Sequence, residues 1–276
     1  MNYRHAYHAG NHADVFKHAV LVMLLEHLRA KPKAFTVLDT HAGAGNYDLR
    51  SVEAGKTGEA ADGIGRIFDA ALPAVPAYLD LIRHLNPEGL AVYPGSPAII
   101  RTFLRDEDRL IVCELHEEEA AKLRRAFRGD RQVGVHHRDG YEAINAFVPL
   151  PSRRGLVFID PPYEEAGEQG FHILVDHLNA GLEKWPGGMF AAWYPLKDRV
   201  GINALRKRYG RANPPTLAVE FVRTPFDGKS LAGSGLLIAN PPFGIAERLT
   251  ALGEDLAAAF AMKKGGLGLE WWIAER

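Results

Sequence analysis

The pattern of apolar residues along the chain predicts strands that alternate with helices. Short apolar runs recur between turn residues, and segments with apolar residues at helical spacing separate several of them. The predicted strands are Phe35–Asp39, Arg109–Glu114, Val133–His136, Leu156–Asp160, Met189–Trp193, Leu217–Val222 and Gly235–Ala239, with Leu267–Ile273 as a candidate eighth. The helices predicted between them are Glu117–Phe127, Phe171–Lys184 and Lys197–Tyr209. This order is typical of an α/β fold, a mainly parallel sheet of seven strands with helices on both faces.

A further helix is predicted ahead of the first strand. Asn11, with Asp14 three residues later, resembles a capping box, and apolar residues recur at helical spacing from there to about Arg29. Because the apolar stripe is wide, we expect the helix 11–29 to be largely buried.

The segment 50–93 interrupts the alternation. Its pattern predicts two helices, Ile64–Leu72 and Ala77–Asn86, separated by prolines, and no strand. We interpret it as a small helical insertion subdomain within a single domain that spans residues 1–276. After it, Gly95-Ser96-Pro97 predicts a new helix in which Ser96 is the N-cap and Pro97 takes the first helical position.

Composition narrows the class of protein. The chain has 276 residues, enough for one large α/β domain, and its longest apolar run, Ala19–Leu25, is too short to cross a bilayer. The N-terminus lacks the apolar core of a secretory signal, and a single cysteine, Cys113, favours the reducing cytoplasm. The net charge of −1 gives no support for a nucleic-acid partner, so any such contact must use a local patch.

Three acidic residues follow the first three strands. The first strand leads into the loop Asp39-Thr40-His41-Ala42-Gly43-Ala44-Gly45, whose glycines let the backbone approach a ligand. Glu114 can accept hydrogen bonds from ribose hydroxyls, and Asp139-Gly140 can bind an adenine edge. Parallel sheets bind ligands at this carboxyl edge, although each acid could instead cap a helix or turn. A nicotinamide dehydrogenase is disfavoured, because Asp48 stands where its third glycine is expected.

The fourth strand leads into Asp160-Pro161-Pro162-Tyr163, where two prolines force a stiff turn. The Asp160 carboxylate and the Pro161 carbonyl can accept the two hydrogens of an adenine amino group and aim its lone pair at a sulfonium methyl. Tyr163 offers a face on which an extruded base can stack. The motif predicts an amino methyltransferase that uses S-adenosylmethionine and needs no metal; the alternative is a buried proline turn.

Two other segments, residues 240–243 and the loop 223–235, have features of a functional site. Asn240-Pro241-Pro242-Phe243 fits the same loose pattern, but it follows a strand outside the half of the sheet expected to bind the cofactor. The glycine-containing loop 223–235 has the composition of a mobile lid.

The N-terminal segment carries the densest basic and aromatic cluster of the chain: Tyr3, Arg4, His5, His8, His12, Lys17 and His18. Such a cluster can approach RNA phosphates and stack on a base. Two alternatives remain open, a metal site that uses the i,i+4 pair His8 and His12, and a solvated arm without a function.

Together these motifs resemble the bacterial 23S ribosomal RNA adenine-N6 methyltransferase J family, over nearly the whole chain. The most specific motifs are the histidine-rich start and the histidine of the glycine loop. The segments that carry the resemblance are Tyr3-Arg4-His5, residues 8–15, Lys17-His18, residues 38–45, residues 93–97, Glu114-Leu115-His116, Arg138-Asp139-Gly140, residues 153–156, residues 159–163 and Trp193-Tyr194-Pro195.

The resemblance implies a Rossmann-like class I methyltransferase that acts as a monomer on 23S ribosomal RNA. It implies a set of residues that contact S-adenosylmethionine: His18, His41, Ser96, Glu114, Asp139, Gly140 and Asp160. It further implies that Asp160 is the catalytic acceptor and that Tyr3, His5 and Lys17 meet the RNA. Three alternatives remain: a DNA adenine methyltransferase, a protein glutamine methyltransferase, for which Asn would be expected in place of Asp160, and a non-catalytic RNA-binding scaffold that binds the cofactor.

Overall fold

The computed structural model describes residues 5–163, 168–228 and 230–274. After a short 3-10 turn, His5–Tyr7, the helices are α1 (His12–Arg29), α2 (Val52–Thr57), α3 (Glu59–Asp62), α4 (Ile64–Ile67), α5 (Pro76–Leu85), α6 (Ser96–Thr102), α7 (Glu117–Ala126), α8 (Gly140–Phe147), α9 (Glu168–Lys184), α10 (Arg199–Arg208) and α11 (Ile245–Ala259). The strands are β1 (Thr36–Asp39), β2 (Asn46–Asp48), β3 (Val92–Pro94), β4 (Arg109–Glu114), β5 (Val133–His137), β6 (Gly155–Ile159), β7 (Met189–Leu196), β8 (Thr216–Val222), β9 (Gly233–Ala239) and β10 (Gly266–Ile273).

Eight of these strands form one sheet in the order β10-β8-β9-β7-β6-β1-β4-β5. The five strands β7, β6, β1, β4 and β5 are parallel to one another. Strand β9 runs antiparallel to both β7 and β8, and β10 runs antiparallel to β8. The mainly parallel sheet is therefore confirmed, and the candidate eighth strand is present. The two reversed strands place their carboxyl ends at the opposite edge from the other six.

Helices cover both faces of the sheet, as predicted. Along β6, Leu156 and Phe158 enter one hydrophobic core, and Val157 and Ile159 enter the other, because side chains alternate along a strand. Helices α1, α6 and α11 fill the first core, and α8, α9 and α10 fill the second.

Helix α1 is buried along most of its length, which confirms the expectation from its wide apolar stripe. Asn11 is the N-cap, since its side-chain oxygen accepts the backbone N–H of Asp14 at 2.9 Å. All seven residues from Ala19 to Leu25 are fully buried. This burial fixes the position of the first turns of α1. Within the described ranges, no helix is long and apolar enough to span a bilayer.

The segment between β2 and β3 departs from the sequence prediction. It holds four helices, α2 to α5, and α4 ends at Ile67 rather than continuing to Leu72. Strands β2 and β3 pair antiparallel with Tyr47 opposite Tyr93, and this ribbon brings the two ends of the segment together. The segment 50–93, predicted to hold no strand, includes the first two residues of β3, because a three-residue strand is too short to show an alternating pattern.

The start of α6 also differs in detail. Gly95, rather than Ser96, is the N-cap, and Ser96 is the first helical residue. The Ser96 hydroxyl does not cap the helix because it donates a hydrogen bond to the buried carboxylate of Asp39 at 2.7 Å.

Candidate active site

A cleft of about 1260 Å³ opens at the carboxyl edge of the parallel strands. It is lined by all the described residues that were predicted to be catalytic or to contact the cofactor or the RNA: His5, Lys17, His18, His41, Ser96, Glu114, Asp139, Gly140, Asp160, Pro161 and Tyr163. Asp39 and Gly45 of the glycine loop do not line it. Tyr3 and Arg4 lie outside the described residues. Residues that are remote in sequence thus meet in one place, because the loops after parallel strands share one edge of the sheet.

The second proline motif lies elsewhere. Asn240 ends β9, which runs against β7, so the motif lies at the opposite edge of the sheet from Asp160. The Asn240 amide donates hydrogen bonds to the carbonyls of Pro186 and Gly188 at 2.7 and 2.6 Å. This motif therefore serves the fold.

Bare backbone forms the floor of the cleft. Gly43 has a φ of +61°, and a Cβ there would lie 2.1 Å from the Tyr47 hydroxyl. A Cβ on Gly140 would lie 2.1 Å from the carbonyl oxygen of Thr40 and 2.8 Å from the His41 ring. Glycine is required at these two positions because no side chain fits between the packed loops.

Glu114 is held at the end of β4 by two backbone amides. Its carboxylate oxygens accept the N–H of Gly43 at 2.8 Å and of His116 at 2.7 Å. Burial raises the pKa of Glu114, and these two hydrogen bonds oppose the rise. Because each carboxylate oxygen has a second lone pair, Glu114 can still accept hydrogen bonds from the hydroxyl groups of a ligand.

Asp139 caps a helix at the edge of the cleft. Its Oδ1 accepts the backbone N–H groups of Tyr141 and Glu142 at 2.8 and 3.0 Å, which caps α8. Asp139 also lines the cleft. The capping interpretation is therefore correct for this acid, and it does not exclude ligand binding.

The neutral ring of His41 lines the cleft. The Thr40 hydroxyl lies 2.8 Å from Nδ1 of His41 and 3.1 Å from the carbonyl oxygen of Phe158. Burial lowers the pKa of His41 to about 4, which leaves the ring neutral at physiological pH. The edge of the ring meets Tyr141, with the ring centroids 5.1 Å apart.

Asp39 is fully buried at the end of β1, behind Ser96, which lines the cleft and donates a hydrogen bond to it. Burial raises the pKa of Asp39 to about 7, the hydrogen bond from Ser96 opposes this, and the nearby Asp160 carboxylate adds to the rise. The site thus holds a carboxyl group that titrates near neutral pH.

Lys17 joins the N-terminal helix to the Asp160 loop. Its ammonium lies 2.5 Å from Oδ2 of Asp160 and 2.9 Å from Oδ1 of Asp14, with only 4% of the side chain exposed. Burial alone would lower the pKa of Lys17, but the two carboxylates outweigh it and hold that pKa above its usual range. The ammonium also lies 5.3 Å from the centroid of the Trp193 ring.

Asp14 anchors the described part of the N-terminal segment. One of its oxygens accepts the backbone N–H of Gly10 at 2.9 Å and lies 2.8 Å from Nε2 of His5. Burial opposes ionisation, but His5 and Lys17 hold the pKa of Asp14 well below its usual range. The interpretation as a solvated arm is therefore wrong for residues 5–18, which are bonded into the wall of the cleft.

His18 belongs to a buried chain of hydrogen bonds. Its Nδ1 lies 2.8 Å from the hydroxyl of Tyr93, which lies 3.1 Å from the hydroxyl of Tyr78. Burial lowers the pKa of His18 to about 3, so the ring is neutral at physiological pH. This chain links α1 to the segment between β2 and β3.

The ring of Tyr163 is packed rather than free. Its hydroxyl donates to the carbonyl of Trp193 at 3.0 Å, and its ring centroid lies 5.2 Å from that of Phe171 and 5.6 Å from that of Trp193. Any base that stacks on Tyr163 must therefore use the part of the ring that faces the cleft.

His8, one of the two histidines of the candidate metal site, is engaged by a carboxylate. His8 bonds Glu59 through Nδ1 at 2.8 Å, and Asn11 donates to the same carboxylate at 2.9 Å. Burial, followed by Arg223, lowers the pKa of His12 to about 4. Among the described residues, no group of three or more potential ligands could hold a metal ion.

The lid prediction is wrong for part of its range. Gly233 and Gly235 belong to β9. A Cβ on Gly233 would lie 2.2 Å from the Phe221 carbonyl oxygen, and a Cβ on Gly235 would lie 2.3 Å from the Tyr194 ring. These two glycines are required by close packing in the sheet.

Two residues, Asp14 and Tyr93, have larger roles in the site than their sequence context indicates. Asp14 was predicted only as a partner in a helix cap, although Lys17 three residues later shares its helix face and is a detectable signal. Nothing in the sequence indicates the Tyr93–His18 contact, because 75 positions separate the two residues.

The chain is similar to known proteins over nearly its whole length. Residues 32–273 match the family model of RsmJ, described as "Ribosomal RNA large subunit methyltransferase D, RlmJ". The chain is 39% identical over 254 residues to ribosomal RNA large subunit methyltransferase J of Escherichia coli K12, covering 90% of both chains. It is 37% identical to the Haemophilus influenzae protein of the same name, covering 99% of both. A crystal structure of protein LPL1258 from Legionella pneumophila superposes with a TM-score of 0.85 at 32% identity, over 96% of this chain and 98% of that one.

Proposed function

This chain belongs to the ribosomal RNA large subunit methyltransferase J family, and on that premise we propose that it transfers a methyl group from S-adenosylmethionine to the N6 amino group of an adenine in 23S ribosomal RNA. The family resemblance drawn from the sequence motifs is confirmed, and the chain is a methyltransferase. The cofactor, the modified atom and the roles of individual residues are our proposals.

The residues at the base of the cleft fit S-adenosylmethionine. Glu114 has acceptor capacity for the ribose hydroxyls, and Asp139 and the bare backbone at Gly140 suit an adenine edge. The cradle at Gly140, which a Cβ would fill, supports close approach of a flat ligand. His18, His41 and Ser96 complete the proposed binding set, together with Asp160. When bound, the cofactor supplies a methyl group activated by a sulfonium.

The catalytic residues act by orientation. We assign Asp160 and the carbonyl of Pro161 as acceptors for the two hydrogens of the adenine amino group, which directs the nitrogen lone pair toward the methyl carbon. Asp160 takes up the proton that the amino group releases during or after transfer, because a carboxylate is too weak a base to remove it beforehand. Tyr163 flanks the extruded base.

One observation carries the assignment of Asp160. Its Oδ2 accepts a hydrogen bond from Lys17, while Oδ1 makes no hydrogen bond among the described residues. Asp160 lines the same cleft as Glu114 and Asp139. A carboxylate fixed through one oxygen is pre-oriented to accept a hydrogen through the other.

The residues of the N-terminal segment that are proposed to contact the RNA differ in how exposed their side chains are. His5 is half-buried, and Lys17 is buried, so Lys17 can approach only a base inserted deep into the cleft. We propose that Tyr3 and His5 meet the RNA above it.

The test separates the substrates. Labelled S-adenosylmethionine is incubated with the protein and, separately, protein-free 23S ribosomal RNA, genomic DNA and a cellular protein extract. Label recovered as N6-methyladenine in ribosomal RNA is expected. Label only in DNA or only in protein glutamine would overturn the substrate assignment, and binding without transfer would support the non-catalytic scaffold.

A further inference from the structure

The chain is nearly neutral overall, yet it concentrates cations along one wall of the cleft. A row of paired residues, Leu196, Gly233, Val222 and Gly266, crosses β7, β9, β8 and β10 at this edge. Lysine or arginine lies just beyond three of these strands: Lys197 after β7, Arg223 after β8, and Lys263 and Lys264 before β10. The cations that line the cleft on this side are Lys197, Arg223, Lys263 and Lys264. Because neighbouring strands are about 4.8 Å apart, the row spans about 15 Å. The reversed strand β10 contributes to this edge with its start rather than its end, which places Lys263 and Lys264 there.

The turn that carries the two adjacent lysines follows the end of α11. Ala261 has a φ of +50°, the left-handed conformation that is common just after a helix. The N–H groups of Ala261 and Met262 donate to the carbonyls of Ala258 and Ala257, which are the two hydrogen bonds of a Schellman motif. Residues 261–264, which follow this helix end, all line the cleft.

The lysines of this wall are not engaged in the fold. Lys197, Lys263 and Lys264 are exposed, and none of them forms an ion pair among the described residues. Arg223 is different, because it pairs with Asp62 at 2.7 Å and lies over the ring of Phe260. Three lysines are thus available to an anionic ligand. Arg223 contacts Phe260 at the end of α11, just before the turn that carries Lys263 and Lys264.

Acidic residues adjoin the lysines on the side of α3 and α4. Glu59 and Asp62 line the cleft there, Asp62 is the partner of Arg223, and Arg66 lies 3.5 Å from Asp62. Phosphates are therefore favoured along the lysines and disfavoured along α3 and α4.

We propose that Lys197, Lys263 and Lys264 bind the RNA phosphates that flank the target adenosine, so that the RNA backbone enters along β7 to β10 and not along α3 and α4. This inference rests on the proposed function and specifies how its substrate is held. The contacts are to the backbone and carry no base preference, so they position the strand while the base enters the cleft.

The test is the salt dependence of RNA binding. Binding of protein-free 23S ribosomal RNA is measured from 50 to 300 mM salt for the wild type and for the triple variant Lys197→Gln, Lys263→Gln, Lys264→Gln. Removal of one lysine–phosphate pair reduces the slope of log K against log salt by about 0.7 to 0.9, so a reduction of about 2 is expected for the triple variant. Affinity at 100 mM salt should fall at least tenfold, while the dissociation constant for S-adenosylmethionine stays within twofold.

Two matched variants serve as controls. Lys31→Gln with Lys33→Gln removes two exposed lysines from the loop between α1 and β1, and Arg66→Gln removes a cleft-lining cation from α4, where acidic residues surround it. Both should keep the wild-type slope, and arginine at positions 197, 263 and 264 should restore it. An unchanged slope in the triple variant, or an equal reduction in Arg66→Gln, overturns the inference. Failure of the wild type to methylate ribosomal RNA would instead refute the proposed function, since the slopes are measured without transfer.

Discussion

The Lys17 ammonium donates a 2.5 Å hydrogen bond to the carboxylate of Asp160, across 143 positions of sequence. This contact joins the first turns of α1 to the loop after β6. It explains why the N-terminal segment is part of the cleft, because Lys17 is also held by Asp14, which anchors His5 and Gly10.

Replacement of Lys17 by methionine should destabilise the protein strongly. The variant leaves Asp14 and Asp160 without their shared cation, and breaking a buried ion pair costs about 3–5 kcal/mol. Urea unfolding at pH 7.5 measures the decrease in stability. Adding Asp14→Asn should recover part of the stability but little activity, because Asp160 stays without its fixed partner. Full additivity of the two changes would show that the two residues are not coupled.

Replacement of Asp160 by asparagine should lower kcat for ribosomal RNA methylation by about 10²-fold or more, because the side chain keeps its shape but loses its charge and its capacity to take up a proton. Cofactor affinity, measured by calorimetry, should stay near that of the wild type. Asn240→Ala is the matched control in the other proline motif. It should reduce stability, since two carbonyls lose their donor, and leave kcat unchanged. Equal losses of turnover and cofactor affinity in Asp160→Asn would make Asp160 a binding residue only.

Asp39 should make the stability of the folded protein decline as pH rises. Burial raises the pKa of Asp39 from 3.8 to about 7, so between these values the folded state retains a proton that the unfolded state has lost. Asp39→Asn removes this dependence while Asn can still accept the Ser96 hydrogen bond. The variant should gain about 2–3 kcal/mol relative to the wild type between pH 5 and pH 8.

The measurement for Asp39 is urea unfolding at both pH values. His18 and His41, whose pKa values are lowered to about 3 and about 4, have the opposite effect: their contribution to stability rises with pH up to their unfolded value of 6.5. Both histidines remain in the variant, so the difference between the two proteins isolates Asp39. A constant difference across pH would contradict the raised pKa.

Replacement of Gly140 by alanine should weaken cofactor binding and destabilise the fold by about 1–3 kcal/mol, because the new Cβ would collide with the Thr40 carbonyl and the His41 ring. Gly55→Ala is the control. No atom lies within 4 Å of its new Cβ, and alanine is the better helix former, so α2 should be slightly more stable. Calorimetry with S-adenosylmethionine and thermal unfolding give both quantities. Normal cofactor affinity in Gly140→Ala would place the ligand elsewhere in the cleft.

Much of the architecture was predictable because it depends on local pattern and chain order. Apolar runs of strand length located all eight strands of the main sheet, and the cap at Asn11 located the start of α1. Since parallel strands end at a common edge, chain order alone was enough to bring Glu114, Asp139 and Asp160 together.

Tertiary structure decided which partner each side chain takes. The sequence around Ser96 is typical of an N-cap, but the Ser96 hydroxyl instead donates a hydrogen bond to the buried carboxylate of Asp39 in β1. The direction of β9 sends Asn240 to the far edge, and the direction of β10 brings Lys263 and Lys264 to the near one. Periodicity encodes which residues face the core, whereas strand direction and contacts across a hundred positions depend on how the whole chain packs.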